Sequence, residues 1–182
     1  HVLSFNHNKF CIGGDNNKII FKHYKRINEE EYDECNSAKQ LTACEKFIAS
    51  NECATKSNYI VPSISGYSGT IKDVWFKVNP PNTPSFSIET FQVTGGLTNT
   101  VMQVLKGSCS TFTQVASDDN SGDGNHAKVT ITNYTGSSPL YIRVTDYGGN
   151  DFGQFGIYVK KIDPGSMIFS SESSINGDGS GV

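Results

Sequence analysis

Charge is scarce in this chain. Asp, Glu, Lys and Arg together make up 18% of 182 residues, and the formal net charge is −3. With no basic excess to drive counterion release, a nucleic-acid backbone is excluded as the partner. Basic residues gather only between Lys18 and Arg26, beside Phe21 and Tyr24. So short a run reads as a solvated strand face. No apolar run approaches the roughly 18 residues of a membrane span. The chain also lacks H-E-x-x-H, G-x-S-x-G and C-x-x-C, which removes the zinc-protease helix, the strained nucleophile elbow and the zinc-ribbon or thioredoxin readings. Its four histidines, His1, His7, His23 and His126, fall at no metal-pair spacing on a predicted helix. No signal peptide is visible and the first residue is not Met, so the chain reads as a mature or excised fragment.

What the chain does have is glycine, serine, threonine and asparagine, the composition of many turns and short strands. Val2 to Phe5 and Lys18 to Lys22 read as two strands around a turn at Gly13 to Asn17. An acidic linker, Glu29 to Glu34, follows. Asn36 to Ile48 has Ala38, Leu41 and Ala43 in rough helical phase, and one helical turn or more is expected there. From Ile71 onward alternation takes over. Val74, Phe76 and Val78 share one face, with Asp73, Trp75 and Lys77 on the other. The proline-rich stretch Asn79 to Pro84 cannot continue a ladder. In Ser85 to Val93 the apolar phase slips between Ile88 and Phe91, which predicts a bulge or bend. Thr100 to Leu105 is apolar on both faces and should be a central strand. Ser110 to Val115, Ala127 to Thr132, Leu140 to Val144 and Phe155 to Val159 complete a series at roughly ten-residue spacing. The expected fold is all-β: an antiparallel, jelly-roll-like β-sandwich with an N-terminal hairpin extension. Its expected parts are an extension and acidic linker over 1–32, the sandwich over 33–163, and a linker or tail over 164–182.

Five cysteines occur: Cys11, Cys35, Cys44, Cys53 and Cys109. Cys35, Cys44 and Cys53 crowd one loop-like region and are the disulfide candidates, which suits an oxidising compartment. An odd count leaves at least one thiol free or paired outside the chain.

The densest cluster of oxygen ligands is the loop Ser117 to Gly124. Asp119, Ser121 and Asp123, followed by Gly124, reproduce the opening spacing of a calcium loop. Thr130 stands where an EF-hand needs a bidentate glutamate, so that motif is rejected. Asp118 adds a carboxylate. Asp146, Asn150 and Asp151 can close a Ca²⁺ shell if their loop shares a sandwich end with the first. The competing reading is a turn whose Asp and Asn side chains bond their own backbone. Asp118 and Asp119 are adjacent and point to opposite faces, so they do not flank a substrate as glycosidase carboxylates do. Cys109 with His126 makes a thiol dyad only by accident of folding. Trp75 is expected in the packing. Tyr141 and Tyr158 lie on the polar phase of their strands and form a ligand-binding aromatic strip if those strands are neighbours. Asn133, Tyr134 and Thr135 match an N-glycosylation acceptor, a motif common by chance.

One succession of residues carries a resemblance. Asp33, Cys35 and Ala38 come first, then Ala54 and Thr55, then Asp73, Val74, Trp75 and Phe76. Gly107 and Cys109, Asp118 and Asp119, Tyr141 to Val144, and Gly153, Phe155, Ile157 and Val159 follow. In order and spacing this resembles the bacterial pre-peptidase C-terminal domain family, in the cysteine-bearing form found on secreted and surface proteins of Bacteroidetes. It covers about residues 33–162, roughly two thirds of the chain. The resemblance implies a non-catalytic jelly-roll module attached to exported proteases, adhesins and other proteins. Some relatives bind Ca²⁺, and some bind collagen or other polymers. Where relatives often carry a second cysteine before the paired aspartates this chain has Ala116, so Cys109 lacks its usual local partner. The resemblance also implies that Glu29, Glu30 and Glu31 stand where calcium-binding relatives use a linker.

The resulting expectation is a non-enzymatic module, extracellular or at the cell surface. It would support attachment, folding or adhesion of a larger protein or assembly, with a surface protein or polysaccharide as partner and Ca²⁺ as the candidate cofactor. Two alternatives are a carbohydrate- or matrix-binding module using the tyrosine face, and an accessory domain of a secreted protease.

Overall fold

The computed structural model describes residues 2–5, 8–11, 32–57, 72–149 and 151–162, the first two stretches as backbone pairing only. Strands β1 (Val2–Phe5) and β2 (Asn8–Cys11) form an antiparallel two-stranded sheet. A hairpin is present at the N-terminus, but it pairs Val2–Phe5 with Asn8–Cys11 and not with the strand expected at Lys18 to Lys22. Lys18 to Lys22 and the glutamates Glu29 to Glu31 lie outside the described residues.

The main body is two sheets packed face to face. Its strands are β3 (Lys39–Leu41), β4 (Lys46–Ser50), β5 (Val74–Val78), β6 (Ser85–Phe91), β7 (Thr100–Ser108), β8 (Thr111–Asp118), β9 (Lys128–Ile131), β10 (Leu140–Asp146) and β11 (Gln154–Ile162). A five-stranded sheet runs β3-β5-β10-β7-β8 and a four-stranded sheet runs β4-β11-β6-β9. All neighbours are antiparallel except β3 with β5. This is the expected antiparallel β-sandwich. Among the described residues no helix is long and apolar enough to cross a membrane.

The alternating positions read from sequence make the core. Val74, Phe76 and Val78 meet Leu140, Ile142 and Val144 within one sheet, and face Phe86, Ile88, Phe155, Ile157 and Val159 from the other. Strand β7 is interior in its sheet and buried on both faces from Thr100 to Leu105, as its two-faced apolar pattern predicts. Gly156 leaves room for the ring that lies over it. A Cβ there would stand 2.1 Å from the Phe91 ring, its cross-strand partner.

Two expectations are corrected. The segment from Asn36 to Ile48 is not helical beyond a single 3-10 turn at Cys35–Ser37, and becomes β3 and β4. Edge pairing with β5 and β11 supplies the ladder bonds that outweigh a weak helical phase. Strand β6 carries no bulge, because its register with β9 and β11 is continuous. Its apolar phase slips because the inward position is Thr90, whose hydroxyl is satisfied by Thr100 and the Ala127 backbone. The irregularity lies instead between β7 and β8, at Val104 and Leu105.

Candidate functional site

The outer face of the five-stranded sheet holds a second packing layer. Trp75 points away from the main core, as its alternation requires, yet is fully buried. Cys35, Ala38 and Leu105 cover it, with Phe112 and Tyr141 at the margin. Phe112 stacks on Trp75 at 5.4 Å and 20°, and Tyr141 meets Phe112 at 5.4 Å and 65°.

Beside this layer is a buried charge network. The Arg143 Nε–H donates to Asp73 Oδ2 at 2.7 Å, and Arg143 Nη1 donates to Gln103 Oε1 at 3.0 Å. Gln103 Nε2 donates onward to Gln114 Oε1 at 2.9 Å. Asp73 also accepts from the Trp75 indole at 3.1 Å and from the Ser57 backbone at 2.9 Å. Both members of the ion pair are nearly sealed from water, at 3% and 0% side-chain exposure. These polar groups were legible in the sequence only as the polar face of a strand. Their role is to tie four strands, β5, β10, β7 and β8, to one another and to the backbone at Ser57. A carboxylate this thoroughly engaged by donors is a structural group.

The segment that covers Trp75 is fastened covalently. Cys35 and Cys109 form a disulfide with a Cα–Cα distance of 5.7 Å across 74 residues of sequence. Cys53 is also disulfide-bonded, whereas Cys44 is an exposed free thiol. The crowded trio Cys35, Cys44 and Cys53 therefore contains no internal bridge. Two of the three candidates, Cys35 and Cys53, are bridged, but Cys35 lies before β3 against the outer face of the five-stranded sheet while Cys44 sits beside β11 of the other sheet. Cys109 has a distant partner where a local one was missing, and its bridge removes any thiol dyad with His126.

Against the disulfide lies a groove of about 440 Å³ lined by Asn36, Ser108, Cys109, Ser110 and Tyr141. Tyr141 is half-buried, and Asn36, Ser108 and Ser110 are exposed. Ser108 Oγ and Ser110 Oγ share a hydrogen bond of 3.0 Å. Tyr158 does not join Tyr141, because β11 and β10 belong to different sheets. The strip expected from these two tyrosines is therefore not formed.

The acidic loop lies at one end of the sandwich. Asp146 pairs with Thr100 in the ladder, and Thr100 N–H donates to the Asn125 carbonyl. The loops after β8 and β10 thus share an end, as the calcium reading requires. Two of their carboxylates, Asp118 and Asp146, accept hydrogen bonds within this end of the sandwich. Asp118 Oδ1 accepts from Ser121 Oγ at 2.6 Å, and Asp118 Oδ2 accepts from the backbone of Ser121 and Lys128 at 2.8 Å each. Burial pushes the Asp118 carboxyl upward, but these donors and the Asn120 amide outweigh it and hold its pKa below the usual value. Asp146 Oδ2 accepts from the Asp151 amide at 3.1 Å. Among the described residues no three His, Cys, Asp or Glu side chains gather to hold a metal ion. Asp119, Ser121 and Asp123 are placed in the loop without such a group, and Asn150 lies outside the described residues. Around Asp118 the loop forms a self-bonded turn, with Ser121 bonding back to its carboxylate.

Below this loop His126 is buried at 1% exposure, with Nδ1 at 3.4 Å from Thr100 Oγ1. Burial pushes its pKa below the ordinary imidazole value, against the opposing field of Asp123.

No protein-family model matches the chain, and no curated protein matches it. Eleven solved chains do match. One is the pre-peptidase C-terminal domain of a collagenase from Bacillus anthracis, with 15% identity, 68% of this chain and 94% of that chain covered, and a TM-score of 0.43.

Proposed function

We propose that this chain is a non-catalytic, extracellular or surface-exposed sandwich module that supports attachment, folding or adhesion of a larger protein. The observation that carries the reading is the Cys35–Cys109 bridge, which joins the lead-in of the sandwich to the β7–β8 turn across 74 residues. Structural disulfides of this kind persist in oxidising compartments. Two deeply buried ionisable groups also have structural employment: Asp73 and Arg143 bond each other and their sheet neighbours. That is the chemistry of a rigid support.

The test is deletion of this segment from its parent gene. The parent is expected to be synthesised and to keep any activity of its other segments, but to lose retention at the cell surface or matrix. Turnover of a hydrolase substrate by the purified chain, abolished by a point change, overturns the reading.

A further inference from the structure

We propose that the groove beside the Cys35–Cys109 bridge is a binding site for neutral saccharide. This rests on the reading of the chain as an attachment module and names the chemistry of what it attaches to. At about 440 Å³ the groove falls within the range of roughly 300–1,000 Å³ typical of ligand sites. Its lining among the described residues is one aromatic ring, one primary amide, two hydroxyls and a disulfide sulfur. Among the described residues no carboxylate, ammonium or guanidinium lines it, so these offer a charged ligand no ion pair. A pyranose ring matches what is there. Its C–H face is apolar and can lie on the Tyr141 ring, and its hydroxyls both donate and accept. Asn36 supplies an amide donor and acceptor, and Ser108 and Ser110 supply hydroxyls 3.0 Å apart, a spacing suited to adjacent hydroxyls on one sugar.

The position of the disulfide makes the proposal specific to this chain. Asn36 follows Cys35 directly, and Ser108 and Ser110 flank Cys109. The bridge therefore joins the wall bearing the amide to the wall bearing the hydroxyls. The Tyr141 ring is held against Phe112, which is stacked on buried Trp75. The polar groups and the ring are thus fixed relative to one another before any ligand arrives, which lowers the ordering cost of binding.

The experiment is calorimetric titration of the purified chain with soluble neutral oligosaccharides: α- and β-glucans, mannan and N-acetylglucosamine oligomers. A uronic-acid oligomer and a collagen-like peptide serve as charged and proteinaceous comparators. Saturable binding to at least one neutral oligosaccharide is expected. Affinity should fall roughly tenfold or more in Tyr141→Ala and survive in Tyr141→Phe. Ser110→Glu, an exposed change that touches no packing, should abolish binding while leaving the unfolding temperature in place. Cys35→Ala/Cys109→Ser should weaken binding in protein that remains folded at the assay temperature. Failure of every neutral oligosaccharide to bind overturns the proposal, as does binding unaffected by Ser110→Glu or confined to the comparators. Failure here with loss of surface retention in the deletion strain leaves the module reading standing and removes only the saccharide. Enzymatic turnover removes the module reading whatever the titrations show.

Discussion

Removing the Cys35–Cys109 bridge tests how the outer layer is held. The perturbation is Cys35→Ala with Cys109→Ser: alanine where the sulfur is buried, serine where it is half-exposed. In the chain-entropy account, closing a loop across 74 residues restrains the unfolded chain by about 4 kcal/mol at 25 °C. For a domain of this size each kcal/mol shifts the midpoint by about 2–4 °C, so a fall of roughly 8–16 °C is expected. The assay is thermal unfolding followed by circular dichroism and by the fluorescence of Trp75, the only tryptophan. The two probes separate two effects. The cover over Trp75 includes Cys35 and Ala38, and the Tyr32 carbonyl accepts the Trp75 amide at 2.6 Å. Once the bridge is gone this cover can lift before the sheets melt. A red-shifted Trp75 signal preceding the circular-dichroism transition is therefore expected. A midpoint loss worth less than about 1 kcal/mol would refute the argument that the bridge restrains the unfolded chain. An unchanged indole environment would show that the remaining contacts, not the disulfide, hold the segment down.

Arg143→Met strands the buried Asp73 carboxylate without its cation and should cost about 3–5 kcal/mol by denaturant unfolding. Adding Asp73→Asn should recover part of that loss, because it removes the stranded charge and its one amide oxygen still accepts from either the Ser57 amide or the Trp75 indole. No recovery would mean the pair is not coupled. Asp118, with its folded pKa lowered, binds fewer protons folded than unfolded; its stabilisation is present above the unfolded pKa and is lost as pH falls through the folded one. Acid titration of Asp118→Ala should therefore show a shallower loss than the parent in that window. His126, also lowered, is neutral in the fold, so stability should decline as pH falls below its ordinary value of 6.5 and level off below the folded pKa. His126→Gln should flatten that limb, and an unchanged slope would assign it elsewhere. Calcium, compared with a chelator, should leave the unfolding temperature unchanged, since Asp118 is already engaged by donors from Ser121 and Lys128. A rise would show that the loop recruits a metal.

Several features were legible in sequence because they depend on local period. The alternations around Phe76, Ile142 and Ile157 mark one face of each strand, and burial on that face follows directly from the pleat. The interior position of β7 was legible for the same reason, since apolar residues on both faces need cover on both. The acidic loop was visible as a loop, and its spacing suited calcium as well as it suited a self-bonded turn. Spacing could not show that Asp118 accepts from the Lys128 amide, ten residues away, because that depends on where β9 is placed.

What only the tertiary structure decided is non-local. Whether Tyr141 and Tyr158 share a surface depends on strand order, and β10 and β11 lie in different sheets. Cys35 reaches Cys109 because the chain before β3 crosses the outer face of the sheet, a path no cysteine spacing encodes. The same path buries Trp75 on what period two marks as the solvent side. Strand, face and loop follow from each residue's immediate neighbours. Pairing, cover and groove follow from segments far apart in the chain, held together only once the sheets have closed.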